Sequence, residues 1–311
     1  MRDNPLDNPN MEIVFLGTSA GVPTRERNVT SIAIKRGPEL LLFDVGDGTQ
    51  RQLIKAGVGL RVKTRIFITH MHGDHIVGLL ALLQTYSLMG RAEPLQIIGP
   101  GGVEEFVKRN LEMLNVYIGF PLNIGVLHNG PVLETDEYVV KALKTIHSVE
   151  TYALSLEEKP RPGRFNPEKA RELGIPVPYW RDLKAGKRVV IKDMDIDPSL
   201  VVSPPRRGRK VVFSSDTSPF EGLVEFAKGA DVLIHDSTYG EAHLDKARKN
   251  LHSAARDAAE VALKADVRFL ILTHFSARYS DVEELAAEAR EVFPYVIAAE
   301  DFFRMEVPYP H

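Results

Sequence analysis

Apolar positions recur along this chain in two rhythms. Short runs rich in Val, Ile, Leu and Phe predict strands at 12–16, 31–35, 39–43, 65–69, 95–98, 211–214, 232–234 and 269–272. Gly37-Pro38, between the second and third of these, reads as a hairpin turn. A spacing near 3.6 predicts a helix over 76–88, with Ile76, Leu79, Leu80, Leu83 and Leu88 on one stripe. Further helices are predicted over 253–264 and 281–292, opened by a capping Ser253 and Asp281. Strands that first pair as hairpins and later alternate with helices predict layered α/β sheets rather than a bundle or an all-strand sandwich.

Composition narrows the chemistry. The chain has 311 residues, 44% hydrophobic and 26% charged, enough to bury a large core without staples. Residues 1–10 carry Pro5, Pro9 and three Asn and read as a loose leader without an apolar signal core. No apolar run approaches the roughly 18–20 residues that span a bilayer, so no membrane partner and a cytoplasmic location are expected. With no cysteine, disulfides, thiolate metal sites and cysteine nucleophiles are excluded, and any metal must rest on histidine and carboxylate. The net charge of −3 excludes a globally basic nucleic-acid binder. It hides an asymmetry, because 159–188 carries nine basic and three acidic residues, a balance of +6 that leaves −9 for the rest. That stretch also holds five Pro, three Gly and the single Trp, with a short helix predicted over 167–173. It reads either as a solvated surface insertion or as a basic arm that grips a polyanion.

The strongest chemical signal is His70-Met71-His72-Gly73-Asp74-His75, just after a predicted strand. Residues i and i+2 of an extended segment share a side, so His70 and His72 can converge on one ion. Gly73 lets the chain turn, aiming Asp74 and His75 toward a second ion. Other apolar strands run into His147, Asp216 and His274, and open α/β sheets gather their sites past the carboxyl ends of strands. The expected division is His70, His72 and His147 around one ion and Asp74, His75 and His274 around the other. Asp216 is expected to give one oxygen to each and hold the ions about 3.5–4 Å apart. Imidazole and carboxylate without sulfur suit Zn²⁺, with Mn²⁺ or Fe compatible, and water activated by such a pair makes hydrolysis the natural chemistry. Asp44, following a strand, is a candidate partner for a ligating histidine.

These residues resemble the metallo-β-lactamase superfamily and, within it, the ribonuclease Z family. The similarity runs from about Met11 to the C-terminal region: Phe15-Leu-Gly-Thr-Ser-Ala-Gly-Val-Pro23 with Arg27-Asn28, Phe43-Asp44-Val-Gly-Asp-Gly-Thr49-Gln50, Ile98-Gly-Pro-Gly101 and Thr273-His274-Phe-Ser-Ala-Arg278-Tyr279. The resemblance implies an αββα sandwich over 11–311 with a flexible tRNA-binding arm inserted at about 157–188. It implies an endoribonuclease that removes the 3′ trailer of precursor tRNA, leaving a 3′-hydroxyl on the tRNA and a 5′-phosphate on the trailer. Two zinc ions per subunit and a homodimer are implied with it. Asp74 would take the proton of the attacking water, and His252, oriented by Asp236, would protonate the leaving oxygen. Lys159, Arg161, Arg164, Lys169 and Arg171 on the arm, with Arg278 and Asn28 near the site, would contact RNA, and His235 would support the site from behind.

Two motifs depart from the family. This chain has His235-Asp236-Ser237-Thr238 where many members read His-Glu-Ala-Thr, and His252-Ser253-Ala254 where they read His-Ser-Thr. Asp is one methylene shorter than Glu, so an Asp236–His252 bond requires a closer backbone. A general phosphodiesterase on the same scaffold, a di-iron redox protein and a catalytically silent RNA binder are the rival readings. His128, His243 and His311 match no motif and read as structural or solvated.

Overall fold

The computed structural model describes residues 9–60, 62–191 and 194–310. Most of the leader predicted over 1–10, and His311, lie outside them. The chain builds two seven-stranded sheets. In the first, the order is Arg304–Glu306, Met11–Gly17, Ser31–Arg36, Glu39–Phe43, Lys63–Phe67, Leu95–Gly99 and Leu122–Val126. In the second it is Val296–Ala298, Phe269–Thr273, Val232–Asp236, Lys210–Phe213, Tyr152–Glu158, Tyr138–Lys144 and Gly130–Glu134.

Each sheet is buried on both faces, which is why its central strands are apolar almost without interruption. Phe15, Ile34 and Phe43 of the first sheet meet Leu154, Phe213 and Ile234 of the second in the inter-sheet core. The outer face of the first, with Val14, Leu16 and Leu42, takes Leu53, Leu79, Leu83 and Val107 from three helices, Thr49–Lys55, Gly78–Leu88 and Val103–Met113. The outer face of the second, with Val212, Leu233 and Leu270, takes Leu223, Ala258 and Leu285 from Glu221–Ala227, Ala255–Lys264 and Glu283–Arg290. The result is the expected four-layer αββα sandwich. No helix among the described residues is long and apolar enough to cross a membrane.

Several elements differ in detail from the sequence pattern. The helix predicted over 76–88 is two pieces, Gly73–Ile76 and Gly78–Leu88. Its buried stripe is Ile76, Leu79, Leu82, Leu83 and Tyr86, whereas Leu88 is 82% exposed and Leu80 is half-buried. A segment with so many leucines does not define one stripe by itself. Gly78 is there for close approach, since a Cβ on it would lie 1.9 Å from the Gly46 carbonyl oxygen. Ser253 is not the cap of Ala255–Lys264. Ala254 holds that position, the Asp257 carboxylate accepts from the Ala254 amide at 2.8 Å, and the Ser253 hydroxyl donates to the Thr217 carbonyl. Asp281 is likewise one residue ahead of the cap of Glu283–Arg290, which is Val282, although its carboxylate accepts the Glu283 amide at 2.8 Å.

The insertion is longer than 159–188. Arg161 pairs through its backbone with Arg206, and Phe165 with Val202, so the segment leaves one strand of the second sheet and returns to its neighbour near Arg209. Its short helices Pro167–Glu172 and Trp180–Lys184 and the strands Val189–Ile191 and Met194–Ile196 enclose a separate apolar cluster, with Ala170, Ile175, Leu183, Val189 and Val201. The return leg is invisible to a count of basic residues because Asp195 and Asp197 on it pair with Arg188.

Candidate metal centre

The first four ligand-type residues lie in the turn after Lys63–Phe67, with His72 extended and Gly73 opening the helix that carries Asp74 and His75. His147, Asp216 and His274 arrive from loops past strands of the second sheet. All seven converge, within the spacing a metal site needs, in groups of His70, His72, His147 and Asp216 and of Asp74, His75 and His274, and a third group joins Asp216 and His274 to Asp236 and His252. His70 Nε2 and His147 Nε2 approach His72 Nδ1 to 3.1 and 3.3 Å, and His75 Nε2 lies 3.3 Å from His274 Nε2. Two nitrogens on one tetrahedral zinc lie about 3.3 Å apart, given bond lengths of about 2.05 Å, so the donors fit an ion between them.

Asp216 differs from expectation in how it joins the two groups. One oxygen, Oδ2, faces His70, His75, His147 and His274 at 3.6, 3.5, 3.8 and 3.3 Å, while the buried Oδ1 has no hydrogen-bond partner. A buried carboxylate oxygen left unpaired is costly unless a cation meets it.

In four of the five imidazoles the far nitrogen is fixed by a specific acceptor. His75 Nδ1–H donates to Asp44 at 2.7 Å, and the same carboxylate accepts the Thr69 amide and hydroxyl. His70 Nδ1 meets the Thr69 hydroxyl at 3.0 Å, His147 Nδ1 the Leu251 carbonyl at 3.1 Å, and His274 Nδ1 the Thr238 hydroxyl at 2.8 Å. These bonds set the tautomers that turn Nε2 of all four inward. Burial keeps His70 and His147 below the usual histidine range, the neutral form a ligand requires. Burial also opposes charge on His75 and His274, but Asp216 outweighs it and raises both, His274 to about 10. The centre thus demands positive charge, supplied by protons or by a cation in their place. Asp74 is held ionised, because its imidazole neighbours His274 and His75 overcome its burial.

The backbone around the cage is strained. Among the described residues, seven non-glycines have positive φ, and Asp44, Ser215, Leu251 and His274 are four of them. Left-handed geometry at non-glycine residues costs about 1–3 kcal/mol each and concentrates where a site dictates it.

Beside the cage, His252 Nδ1–H donates to Asp236 Oδ2 at 2.8 Å, so the shorter acid does reach. Thr217 and Thr238 amides and the Thr238 hydroxyl complete the Asp236 shell. Burial alone would lower His252, but Asp236 prevails and raises it. The His252 ring lies 5.0 Å from that of His147 and 5.3 Å from that of His274, with 15% of its side chain exposed. His235 is fully buried and bonds only the Asp236 carbonyl; its Nε2 meets nothing, and burial keeps the ring neutral.

Arg278 is exposed and lies over Tyr239, whose ring is 6.2 Å from that of His252. Asn28 donates its side-chain amide to the Asp47 carbonyl. On the insertion, Arg164, Lys169 and Arg171 are exposed, Lys159 pairs with Glu134, and Arg161 stacks on Tyr309. His128 bonds the Asn129 carbonyl and His243 meets the Tyr279 hydroxyl, both away from the cage.

Sequence reasoning missed Thr69, Ser215 and the Leu251 carbonyl, and quoted Thr238 without giving it a role. It also missed the Gly21 amide, which donates to Asp74 Oδ2 at 2.7 Å. Thr69 and Thr238 adjoin ligand motifs, which is the only signal they carry.

Two core sheets between helical layers, with a His/Asp cage where their loops meet, define a metallo-β-lactamase-fold protein that uses divalent metal. Residues 183–275 match the model of a beta-lactamase superfamily domain, and residues 11–159 that of the anti-Pycsar protein Apyc1. A ribonuclease Z of Nitrosopumilus maritimus is 43% identical over 298 residues, covering 96% of this chain and 100% of the relative. A ribonuclease Z of Methanothermobacter thermautotrophicus is 45% identical, covering 96% and 97%. The crystal structure of the short form of human tRNase Z superposes with a TM-score of 0.71 at 28% identity, covering 96% and 100%. The chain belongs to the ribonuclease Z family.

Proposed function

We propose that this chain is a metal-dependent endoribonuclease that cuts precursor tRNA 3′ of the discriminator region, leaving a 3′-hydroxyl on the tRNA and a 5′-phosphate on the trailer. The observation that carries the reading is the complete cage with the Asp236–His252 pair bonded at 2.8 Å beside it, in a chain of this family. His70, His72 and His147 would hold one cation and Asp74, His75 and His274 the other, with Asp216 facing both. Two Zn²⁺ suit the donors best, and Mn²⁺ or Fe would fit them. Such a pair, when bound, neutralises the phosphodiester and lowers the pKa of water toward about 7.

The side chains supply the rest. Asp74, anchored by the Gly21 amide, takes the proton of the attacking water. His252 has Nδ1–H committed to Asp236, so its Nε2 proton is the one delivered to the departing 3′-oxygen of the upstream ribose. General acid help of this kind contributes about 10²–10⁴-fold. Arg278 holds a flanking phosphate, and Asn28, beside the 47–48 turn, contacts the acceptor end. Arg164, Lys169 and Arg171 on the insertion grip the tRNA body, helped by Lys159 near its root. A homodimer in which each arm serves the other subunit is supported by exposed apolar side chains at two helix ends, Leu88, Met113, Leu114 and Tyr117.

The test is incubation of the pure protein with a 3′-extended precursor tRNA, mapping the cut at nucleotide resolution. A single cut at the acceptor end supports the reading. Turnover of bis(p-nitrophenyl) phosphate without tRNA cleavage replaces it with a general phosphodiesterase, and iron with redox activity by elemental analysis and voltammetry replaces it with the di-iron alternative.

A further inference from the structure

The two legs of the insertion meet the C-terminal segment at one point. Arg161 on the outgoing leg and Arg206 on the return leg exchange backbone hydrogen bonds of 2.8 and 2.9 Å. Just below, the Tyr309 ring is clasped between two guanidinium groups, that of Arg161 at 3.4 Å from its centroid and that of Arg209 at 3.9 Å. Arg209 also donates to the Tyr309 hydroxyl at 3.0 Å and to the Val307 and Pro9 carbonyls. It is itself fixed, since Glu158, 8% exposed, accepts its Nε and Nη2 at 2.8 and 2.7 Å and accepts Arg36 as well. Burial opposes charge on Glu158, but the two arginines hold its carboxyl below the usual range.

The contrast with the rest of the insertion is informative. Arg164 and Lys169 are exposed, and Arg171 lies more loosely at 5.5 Å over Trp180, whereas Arg161 spends its guanidinium at 3.4 Å on the Tyr309 face. Two cations on opposite faces of one ring, with one tied to a buried acid, make a junction that resists bending. The insertion's own apolar cluster is separate from the cores of the sandwich, so its orientation depends on the contacts at its root.

We propose that Tyr309 is a positioning residue that locks the root of the insertion through Arg161 and Arg209 and thereby sets where the arm presents RNA to the cage. Arg161 then fastens the arm rather than gripping RNA. The inference rests on reading the insertion as an RNA-binding arm, yet the lock itself is testable without RNA.

The experiment compares wild-type, Tyr309→Phe and Tyr309→Ala as full-length metal-loaded proteins. In Tyr309→Ala, deuterium exchange in peptides covering 159–164 and 203–209 should accelerate about tenfold. KM for precursor tRNA should rise about tenfold, with kcat and the turnover of bis(p-nitrophenyl) phosphate unchanged. Tyr309→Phe keeps both stacking faces and should stay within about twofold of wild type on every readout. Unchanged exchange at the root in Tyr309→Ala, or equal loss on both substrates, overturns the proposal. Should Tyr309→Ala fail to fold, Tyr309→Leu fills the volume without a π face and must show the same exchange and KM changes for the lock to stand. Accelerated root exchange in an enzyme whose wild type does not cut precursor tRNA would sustain the lock and remove the nuclease reading instead.

Discussion

The cage and the arm solve opposite electrostatic problems. In the cage, two aspartates and five imidazoles are buried or nearly so, most of them held by a named partner, on a backbone strained at four positions. On the arm, Arg164, Lys169 and Arg171 stand in solvent above a small independent core. A buried charge depends on its neighbours and is unforgiving of their loss, whereas an exposed charge acts through a field that salt screens. The cage should therefore fail abruptly under single substitutions, and the arm gradually.

The largest effect is expected from Asp216→Ala, whose oxygen faces both ligand groups. It should abolish cleavage together with bound metal, read by elemental analysis; full activity in a metal-free variant would refute the two-metal centre. His252→Ala comes next, with a loss of about 10²–10⁴-fold in kcat but unaltered metal content, because its Nδ1–H is committed to Asp236 and the two cation groups proposed above are complete without it. Loss of metal on that substitution would place His252 among the ligands. Excising 160–206, both legs included, should raise KM for precursor tRNA by on the order of 10²-fold and flatten its salt dependence, while sparing a small phosphodiester. An unchanged salt slope would mean that the arm is not an electrostatic grip.

Thr238→Val tests whether the cage's supports matter beyond its ligands. The hydroxyl accepts His274 Nδ1–H and donates to Asp236 at 2.6 Å, so its removal should weaken metal binding about 10–100-fold in chelator competition, with Thr238→Ser near wild type. Equal metal affinity in both variants would leave the threonine without that role. The smallest effect concerns Asp301, which ties the first loop together by accepting from Thr18 and Asn28. Burial pushes its carboxyl from 3.8 up to about 6, so the native state binds this proton more tightly than the unfolded chain does. Its contribution to stability is full below pH 3.8 and is lost as pH rises through about 6. Asp301→Asn should accordingly gain in Tm relative to wild type between pH 4 and pH 7. A constant difference would show that Asp301 is not the titrating group.

Several features were readable along the chain because they are local. Unbroken apolar runs and period-3.6 spacing marked most central strands, though not Tyr152–Glu158, and the later helices, and four ligand-type residues within 70–75 announced a metal. Both depend on neighbours in sequence. The three other ligands were legible only as residues at strand ends, and their convergence on one point is a property of how the two sheets face each other. The supports were harder still: Thr69, Thr238 and the Leu251 carbonyl are ordinary groups until a particular imidazole is brought within about 3 Å of each.

The edge strands at 122–126 and 304–306 escaped notice for a related reason. They are half-exposed and weakly apolar, and they become strands because a neighbouring edge offers hydrogen bonds. The return leg of the arm was hidden by its own acids, which cancel its basic partners on paper but are placed to pair only in the fold. Sequence by itself determined the class of chemistry, through the absence of cysteine and the histidine-rich turn, and the layered α/β plan, through its short apolar runs and helical spacing. Tertiary structure alone decided the shared Asp216 oxygen, the tautomers of four cage imidazoles, the reach of Asp236 to His252 and the clasp on Tyr309. Each of those joins groups far apart in the chain, and hydrogen bonds and stacking act only across a few ångströms.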